Sequence, residues 1–561
     1  MSSRRGYMDM DSRVRSEDPD SKEARPASAV TPRGWDDRII KSVSLILVGV
    51  VVVFTVFNGE AAAHAIGVFR TFVTRNFTWY FVVLATLALF FCIYMAVGRR
   101  GSIVLGGEDA KPEYGRFAWY SMLFACGQGI GLIFWSVAEP ILVKNDNPIQ
   151  DRISVDKLDG ALIWGYFHWA VHAWAIYCVV ALCLALSFHN RKAAMTFRDA
   201  VVGMFPEGAR RTVGLVVEVI AILATVFGLS TSFAFAAMQL TAGLEQTFNL
   251  DGGGVIRVLV IIGIGVLAGA SVYLGIEKGM KRVSEVNSIL SIVLVVGVLL
   301  AGPTLYLLSV LPQTAGQYFW SMWWMGTWAD ASSAMAPLHS WDDSWNGVWT
   351  VFIWCWCWAF SPFVGSFIAR ISRGRSVREF VIGVLGIPSA ICVIWIGVVG
   401  GAALFYDETR GGVVTEAVGQ DTSLGLFAML KELPWQPVVF ILLLAATILV
   451  GTYYLTSLDS GVHALSGFVA SATKPSRVFR VTLVAGIAAI AFLLLSIGGE
   501  SVVGTVQTGT IIGALPYTAV VLLMMVNTAR QTNLELRSRL EEPASDSSHA
   551  DGVREQDSAQ D

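Results

Sequence analysis

The sequence predicts an all-α membrane protein with twelve transmembrane helices, and three observations support this fold class. Of the 561 residues, 54% are hydrophobic and only 15% are charged, whereas soluble proteins carry about 25% charged residues. The apolar residues lie in runs of about 20, the length of a helix that crosses a bilayer. Aromatic residues reach 11%, with 19 tryptophans. An ordinary soluble enzyme is excluded, and the near balance of 40 Lys and Arg against 43 Asp and Glu gives no sign of nucleic-acid binding.

The spans follow from these apolar runs in chain order. They lie near 39–57, 78–97, 117–141, 160–187, 212–244, 255–275, 286–310, 344–371, 377–405, 437–469, 478–497 and 501–526. Several runs are longer than a perpendicular crossing requires, so we expect those helices to tilt or to contain a break.

Both ends of the chain are polar tails around a core at 38–526, and residues 1–37 and 540–561 are predicted to be disordered. Residues 1–37 mix basic and acidic side chains and show no cleavable signal peptide, and residues 527–561 are acidic. Loops on the side of the N-terminus carry 19 Lys and Arg, and the other loops carry 7. The positive-inside rule therefore places both termini in the cytoplasm, with the chain as a multi-pass protein of the inner (plasma) membrane.

Three glycines interrupt the third span. Gly127, Gly129 and Gly131 fall within five residues, and Glu139-Pro140 follows them. Glycine loosens the helical backbone, and unpaired carbonyl groups at membrane depth must line a cavity or hold an ion. Close packing of two helices through small residues is the alternative interpretation.

The tenth span carries an unusual run of polar side chains. The run comprises Thr452, Tyr453, Tyr454, Thr456, Ser457, Asp459 and Ser460. Polar groups in the middle of a span are usually functional, and hydroxyl and carbonyl oxygens are the ligands that Na⁺ prefers. Thr and Ser also bond to their own helix backbone, and Asp459 lies near the end of the run, where a structural role as a cap or pair is open.

Two spans are rich in aromatic residues. The fourth contains Trp169, Trp174 and Tyr177. The eighth contains Trp345, Trp349, Phe352, Trp354, Trp356, Trp358 and Phe360. Tryptophan is common at membrane interfaces but not through the middle of a span. A box of aromatic faces binds quaternary ammonium groups, at about 0.5–2 kcal/mol per ring, although plain packing remains possible for any single ring.

The histidines and cysteines do not indicate a metal site. His168 and His172 lie one turn apart, as in a zinc pair, but no third ligand is evident, so we interpret them as structural hydrogen-bonding residues. The seven cysteines lie in apolar runs and form neither a disulfide framework nor a ligand cluster. Cys355-x-Cys357 is therefore interpreted as packing. No cofactor is expected.

Together these residues resemble the betaine/carnitine/choline transporter family over about residues 38–530. The matching motifs are the glycine run with Ala138-Glu139-Pro140, the aromatic residues Trp169, Trp174 and Tyr177, Trp349-Thr350-x-x-x-Trp354-x-Trp356, Ser361-Pro362-Phe363-Val364-Gly365 with Ile368 to Arg375, and Thr456-Ser457-x-Asp459-Ser460. The family pattern usually has an aromatic residue at 353 and Trp at 357, and often another Trp at 360. This chain has Ile353, Cys357 and Phe360, and a smaller residue at 357 would admit a bulkier headgroup such as a sulfonium.

The resemblance implies a leucine-transporter-like fold, with two inverted five-helix repeats formed by spans 3–7 and 8–12. It implies a sodium-coupled secondary transporter that imports quaternary ammonium or related zwitterionic osmolytes, with glycine betaine as the leading candidate. It also implies a homotrimer. The segment 311–343, with Trp320, Trp323, Trp324 and Trp328, is predicted to be a loop that carries an amphipathic helix at the trimer contact.

The resemblance also assigns site residues. Trp169, Trp174, Tyr177 and Trp356 would form the cage for the cationic head, with Trp349, Phe352, Trp354 and Phe360 as further aromatic candidates. Gly127, Gly129 and Gly131 would present N–H groups to the substrate carboxylate. Na⁺ would be held by Ala125, Gln128, Tyr453, Thr456 and Ser457. A possible second Na⁺ would use Thr225 and Phe363, with Leu229 in place of a hydroxyl one turn after Thr225.

Three alternatives stay open at this point. The first is uptake of choline, carnitine or dimethylsulfoniopropionate by the same fold, through proton coupling or exchange. Gly131 stands where proton-coupled carriers of the family tend to have Asp, which favours Na⁺. The second is an amino-acid carrier with a broken first span, and the third is an osmotic or ligand sensor. An enzyme is the weakest hypothesis, because no nucleophile–base pair is evident.

Overall fold

The computed structural model describes residues 34–541, apart from 128, 151–154, 251–252, 275–276, 332–343, 470–474 and 498–501. Regular structure in these described ranges is helical, with one isolated bridge between Val104 and Ser376. The predicted tails lie outside the described residues for 1–33 and 542–561.

The helices follow one another along the chain with short connections. They are α1 (Gly34–Phe57), α2 (Gly59–Ala96), α3 (Arg116–Gly127), α4 (Ile130–Val143), α5 (Lys157–Trp169), α6 (Val171–Ala185), α7 (Phe197–Val201), α8 (Glu207–Phe248), α9 (Gly253–Leu274), α10 (Glu277–Ala301), α11 (Thr304–Met325), α12 (Phe352–Ile371), α13 (Val377–Trp395), α14 (Gly401–Thr409), α15 (Val413–Gln420), α16 (Gly425–Lys431), α17 (Gln436–Val469), α18 (Arg477–Ile497) and α19 (Val502–Glu541). Single π-helical turns follow α6 and α13 and precede α12.

Eleven helical stretches in the described part of the chain are long and apolar enough to cross a membrane. The remaining predicted span, the third in chain order, consists of the helices α3 and α4. A break divides it into pieces that are each too short to be counted as a span. The fourth span consists of α5 and α6, and the ninth of α13 and α14. The predicted all-α fold is confirmed, and the predicted break lies in the third span.

Helix ends differ from the apolar runs at three places. The helix α2 begins at Gly59, not near 78, because Arg70 and Arg75 lower the hydropathy without ending the helix. The helix α19 continues past 526 to Glu541 for the same reason. The segment predicted as a loop from 311 is largely the helix α11, which begins after a break at Gly302-Pro303. Hydropathy measures the apolar length of a segment, not where its backbone hydrogen bonds stop.

The packing of the spans has the exchange symmetry expected of two five-helix repeats. Span 4 packs on span 8, and the equivalent pair, spans 9 and 3, is also in contact. When spans 3–7 are matched in order to spans 8–12, the contact between spans 12 and 5 corresponds to the contact between spans 7 and 10, and both are present. Span 5 also packs on its equivalent, span 10, and span 6 packs on its equivalent, span 11. Because each repeat has an odd number of crossings, the second repeat runs through the membrane in the opposite direction. This confirms the predicted inverted repeats.

The fourth and eighth spans form the centre of the bundle. Their most apolar windows are 89% and 94% buried, whereas that of α1 is 17% buried and lies at the periphery. Each span carries the chain from one side of the bundle to the other, so alternate loops lie on the same side. The loops rich in Lys and Arg lie together on one side, which we call the basic face; they include those before α3 and α8 and after α12. The other side, with α11, α15 and α16, is called the opposite face.

Candidate functional site

The break in the third span produces a helix N-terminus in the middle of the bundle. α3 ends at Gly127 and α4 begins at Ile130, with Gly129 in an extended conformation (φ −102°, ψ −166°) and no side chain capping the new helix. The first N–H groups of a helix have no partner within it and carry partial positive charge. The backbone from Gly129 to Leu132 lines a small cavity, so these donors are available to an anionic group there.

A second irregularity places aromatic side chains against the same cavity. Ala170 leaves the helical region (φ −97°, ψ −119°) and separates α5 from α6. The Val171 N–H, freed by this bend, donates to the hydroxyl of Tyr318 on α11 at 3.2 Å. Trp169 precedes the bend, and Trp174 and Tyr177 follow it, so all three side chains line the cavity.

The cavity lies between seven helices near the middle of the bundle. Its lining comprises Gly129 to Leu132 of α4, Trp169, Ala173, Trp174 and Tyr177, Ser232 of α8, Trp356, Cys357 and Phe360 of α12, Cys392 of α13, and Tyr454 and Ser457 of α17. None of these described lining residues has a charged side chain. The wall is therefore aromatic and weakly polar, and it has the chemistry of a site for a ligand of low net charge.

Two tryptophan rings meet edge to face beside Gly131. The rings of Trp169 and Trp356 are 6.0 Å apart at 79°. A Cβ atom at Gly131 would lie 2.8 Å from the Trp169 ring and 3.2 Å from the Trp356 ring. Glycine is required here because any side chain would push these rings apart. Trp174 and Tyr177 form a second edge-to-face pair, with centroids 5.5 Å apart.

Hydrogen bonds within the bundle fix the orientation of the Trp169 and Trp356 rings. Trp169 Nε1 donates to Glu139 Oε2 at 2.7 Å, and Trp356 Nε1 donates to Ser232 Oγ at 2.9 Å. Ser232 itself donates to the carbonyl of Gly228 at 3.0 Å. Each indole N–H is thus held by a partner on another helix, which sets the direction of the ring face.

In the described part of the chain, the cavity adjoins a vestibule at the basic face and is covered on the opposite side. A wide vestibule at the basic face is lined by Tyr114, Phe117, Ala118, Ser121, Met122, Ser284, Glu285, Ser288, Phe363, Phe367, Thr456, Ser457 and Ser460. Ser457 lines both the vestibule and the cavity. On the opposite side, Trp135 packs on Trp349 and Phe352, with centroids 5.9 and 5.4 Å away.

A sequence model of the betaine/carnitine/choline family transporters (BCCT) matches residues 39–537. The chain belongs to this family. It is thus a membrane transporter rather than an enzyme, and it acts on a small molecule within a bilayer.

Characterised relatives cover most of this transporter. A glycine betaine transporter of Acinetobacter baylyi is 34% identical over 459 residues, which cover 81% of this chain and 67% of the relative. The glycine betaine transporter OpuD of Bacillus subtilis is 32% identical over 83% of this chain and 89% of the relative. An ectoine/hydroxyectoine transporter of Virgibacillus pantothenticus is 32% identical over 82% of this chain and 89% of the relative.

The structure of the transporter brings most of the predicted substrate residues together. Trp169, Trp174, Tyr177, Trp356, Phe360, Gly129 and Gly131 all line the cavity. Three other aromatic candidates are elsewhere: Trp349 and Phe352 pack on Trp135, and Trp354 stacks on His172 at 5.5 Å. Gly127 is the last residue of α3.

The predicted sodium residues are spread along the route from the vestibule. Thr456 and Ser457 face the vestibule, and the Thr456 hydroxyl donates to the carbonyl of Tyr453 at 2.9 Å. Ala125 belongs to α3, two residues before its end. Gln128 lies outside the described residues.

The two residues of the possible second site lie in different surroundings. The Thr225 hydroxyl is buried and donates to its own helix, to the carbonyl of Ala221 at 2.8 Å. Phe363 lines the vestibule and packs edge-on against Phe360, with ring centroids 5.2 Å apart. Thr225 lines neither the cavity nor the vestibule.

Sequence reasoning missed several residues of the wall. Ser232, Cys392 and Ala173 come from helix faces whose apolar pattern, with at most one polar residue, does not distinguish a cavity wall from core. Tyr454 belongs to the polar run of the tenth span, although the resemblance assigns it no role. The Tyr454 hydroxyl donates to the carbonyl of Leu229 at 3.1 Å, which joins α17 to α8 beside the cavity. Glu139 is different, because a carboxylate within a span is itself a signal of function.

Proposed function

We propose that this protein is a sodium-coupled symporter that imports glycine betaine or a closely related zwitterionic osmolyte. The observation that carries the proposal is the meeting of two features at one uncharged cavity: the N-terminus of α4 and a set of aromatic faces. A trimethylammonium group over an indole face gains about 0.5–2 kcal/mol per ring. A carboxylate at a helix N-terminus gains about 0.3–2 kcal/mol. A short zwitterion uses both, and its net charge of zero suits a wall without charged side chains.

The cationic head is assigned to Trp169, Trp174, Tyr177 and Trp356. These rings come from α5, α6 and α12, and they surround the cavity from two sides. The carboxylate is assigned to the N–H groups that follow Gly129. This orientation puts the two ends of the substrate against the two parts of the site that match their charge.

The coupling ion is assigned to Na⁺ near Thr456 and Ser457. Two hydroxyls, the carbonyl of Tyr453 and a carbonyl near the end of α3, including that of Ala125, supply the hard oxygen ligands that Na⁺ requires. Ser457 lies where vestibule and cavity join, so an ion there would be released toward the same face as the substrate. The pair of Thr225 and Phe363 is the weaker candidate for a second ion, since the Thr225 hydroxyl is engaged within its helix.

Alternating access follows from the asymmetry of the cavity. The structure is open toward the basic face and closed by Trp135, Trp349 and Phe352 on the other side. With the basic face in the cytoplasm, as the positive-inside rule predicts, this is the state that releases substrate into the cell. Both termini would then be cytoplasmic, in the inner (plasma) membrane.

The experiment that tests the function is uptake into proteoliposomes. Labelled glycine betaine, choline, carnitine, dimethylsulfoniopropionate and ectoine are offered with an inward Na⁺ gradient or an inward proton gradient, each imposed alone. We expect Na⁺-driven uptake of betaine and little uptake with the proton gradient in Na⁺-free buffer. Equal uptake with the proton gradient would refute the sodium coupling, and a preference for another member of the panel would replace betaine as the substrate.

Two alternatives are decided by the same assay. Carriage of choline, carnitine or dimethylsulfoniopropionate, by proton coupling or exchange, uses the same cavity, and Cys357 in its wall leaves room for a larger headgroup. A membrane sensor that binds an osmolyte without transport would show saturable binding and no accumulation in any gradient.

The proposed oligomer is a homotrimer with α11 near the contact. This helix is tied to the bundle by Tyr318, yet Leu305, Phe319 and Trp320 are 83%, 55% and 85% exposed. Mass measurement in mild detergent and in lipid nanodiscs tests the trimer, and a monomer in both would contradict it.

A further inference from the structure

A chain of buried hydrogen bonds leads from the cavity toward the opposite face. Trp169 donates from Nε1 to Glu139 Oε2 at 2.7 Å, and Glu139 Oε1 lies 2.5 Å from His168 Nδ1. His168 Nε2 lies 3.0 Å from Thr350 Oγ1. Glu139 and His168 have no exposed surface. An intramembrane carboxylate is therefore joined directly to a ring of the proposed cage.

The far end of the chain fixes the direction of its hydrogen bonds as far as His168 Nε2. Asn346 Nδ2 is 3.0 Å from the carbonyl oxygen of Trp328, and a carbonyl only accepts, so the amide N–H₂ faces it. Asn346 Oδ1 must then accept from the Thr350 hydroxyl, 2.7 Å away. With its hydrogen committed to Asn346, Thr350 can only accept from His168, so Nε2 of His168 carries a proton.

Because His168 Nε2 carries one proton, the short contact between His168 Nδ1 and Glu139 Oε1 requires another. His168 Nδ1 and Glu139 Oε1 at 2.5 Å cannot both present lone pairs. Either a carboxylic acid donates to a neutral imidazole, or an imidazolium donates to a carboxylate. Both forms contain one shared proton, both satisfy all four polar atoms, and both have zero net charge.

The surroundings favour retention of this proton. Trp164 and Trp345 lie against the His168 ring, with centroids 5.5 and 5.9 Å away. The titratable neighbour is His172, one turn on, whose ring stacks on Trp354 and whose nitrogens have no hydrogen-bond partner among the described residues. A net negative charge on the pair would lie at membrane depth with no cationic side chain beside it among the described residues, which is strongly unfavourable.

We propose that Glu139 and His168 are positioning residues that share one proton and act as a net-neutral pair holding Trp169. This inference rests on the proposed function, in which Trp169 contacts the substrate. The pair supplies the acceptor that orients the indole without placing a negative charge behind it. The cavity then attracts the cationic head through ring faces and does not repel the carboxylate of a zwitterion.

The test compares Glu139→Gln with Glu139→Ala. Glutamine is neutral and of the same shape; its carbonyl oxygen accepts from Trp169 and its N–H₂ donates to His168 Nδ1. Alanine removes both bonds. For Glu139→Ala we expect KM for the transported osmolyte to rise roughly tenfold or more, with kcat changed much less. For Glu139→Gln we expect KM within about threefold of wild type, because the glutamine side chain keeps both hydrogen bonds. An equal loss in both variants would show that the carboxylate charge is required and would overturn the proposal.

Thermal unfolding of the substrate-free protein gives a readout independent of transport. A neutral pair predicts the same melting temperature for Glu139→Gln and wild type, and a lower one for Glu139→Ala. A higher melting temperature for Glu139→Gln would reveal an unpaired buried carboxylate in wild type and would also overturn the proposal. Uptake by wild type tests the proposed function separately, so failure of one is distinguishable from failure of the other.

Discussion

Lys144 and Asp407 form a buried ion pair that joins the end of α4 to the end of α14 at the opposite face. Their side chains are 8% and 0% exposed, and Asp407 also accepts from the backbone N–H and the hydroxyl of Thr415, at 2.7 and 2.8 Å. The two helices belong to span 3 of the first repeat and span 9 of the second. The pair therefore ties the repeats together where the cavity is closed.

Removal of one partner of this pair is expected to destabilise the fold. Asp407→Ala removes the nearest carboxylate of the buried Lys144 ammonium and leaves Glu408 Oε1, 3.5 Å away, as its counter-charge. Breaking a buried pair costs up to about 3–5 kcal/mol, so we expect a clear drop in melting temperature in detergent. The matched control is Lys157→Gln, which removes the exposed partner of Glu408 and leaves Lys144 and Asp407 in place; the side chains of Lys157 and Glu408 are 41% and 36% exposed. Exposed pairs contribute about 0–1 kcal/mol, so an equal effect of the two variants would contradict the role given to Asp407.

The aromatic cage predicts a specific effect of Trp174→Leu. The ring lines the cavity and packs edge-on against Tyr177. Its loss should raise the KM for uptake strongly while the amount of protein in the membrane stays normal. Trp320→Leu is the control, because this ring is 85% exposed on α11 and should leave KM unchanged. Unchanged uptake by Trp174→Leu would exclude this ring from the cage.

The residue at 357 should influence substrate choice. The Cys357 thiol lines the cavity together with Tyr177 and Cys392. Cys357→Trp places an indole in this space and should change the ranking of the osmolyte panel, against larger headgroups. Cys357→Ala, which keeps the wall small, should preserve the ranking. If both variants rank substrates as wild type does, position 357 does not select among them.

Loss of the two hydroxyls of the ion motif should weaken the dependence on sodium. Thr456→Ala with Ser457→Ala removes two of the few oxygens able to replace the hydration shell of Na⁺. We expect the Na⁺ concentration for half-maximal uptake to rise by roughly tenfold or more, about 1.4 kcal/mol. Thr452→Ala is the control one turn away, since its hydroxyl bonds to Asn287 at 2.6 Å and lies outside the vestibule lining. An unshifted Na⁺ curve would exclude this site.

Accessibility to a membrane-impermeant thiol reagent tests the direction in which the structure is open. Ser121→Cys lies in the vestibule at the basic face, and Glu416→Cys is exposed on α15 at the opposite face. The described native cysteines are buried. We expect Ser121→Cys to react from the cytoplasmic side only and Glu416→Cys from the other side only. The reverse pattern would overturn the predicted orientation.

The sequence by itself determined the number of spans, the break in the third span and the residue types of the cage. These features are local: a run of apolar residues must be a helix in lipid, because each backbone polar group needs a partner, and glycines loosen that helix wherever they cluster. Trp169, Trp174 and Tyr177 lie on one short segment, so their closeness follows from the sequence, whereas the bend at Ala170 places Trp169 beside the other two rings. The sequence did not predict where α2 begins or where α19 ends, because a helix can continue beyond its apolar part.

The tertiary structure decided which aromatic residues meet. Trp354 and Trp356 are two residues apart in one span, yet one stacks on His172 and the other lines the cavity. Ser232 and Cys392 reach the same wall from other helices. The shared proton of Glu139 and His168 depends on groups from four separate segments. Contacts between residues distant in the chain are fixed by how the two repeats pack, and no periodicity within a single helix encodes them.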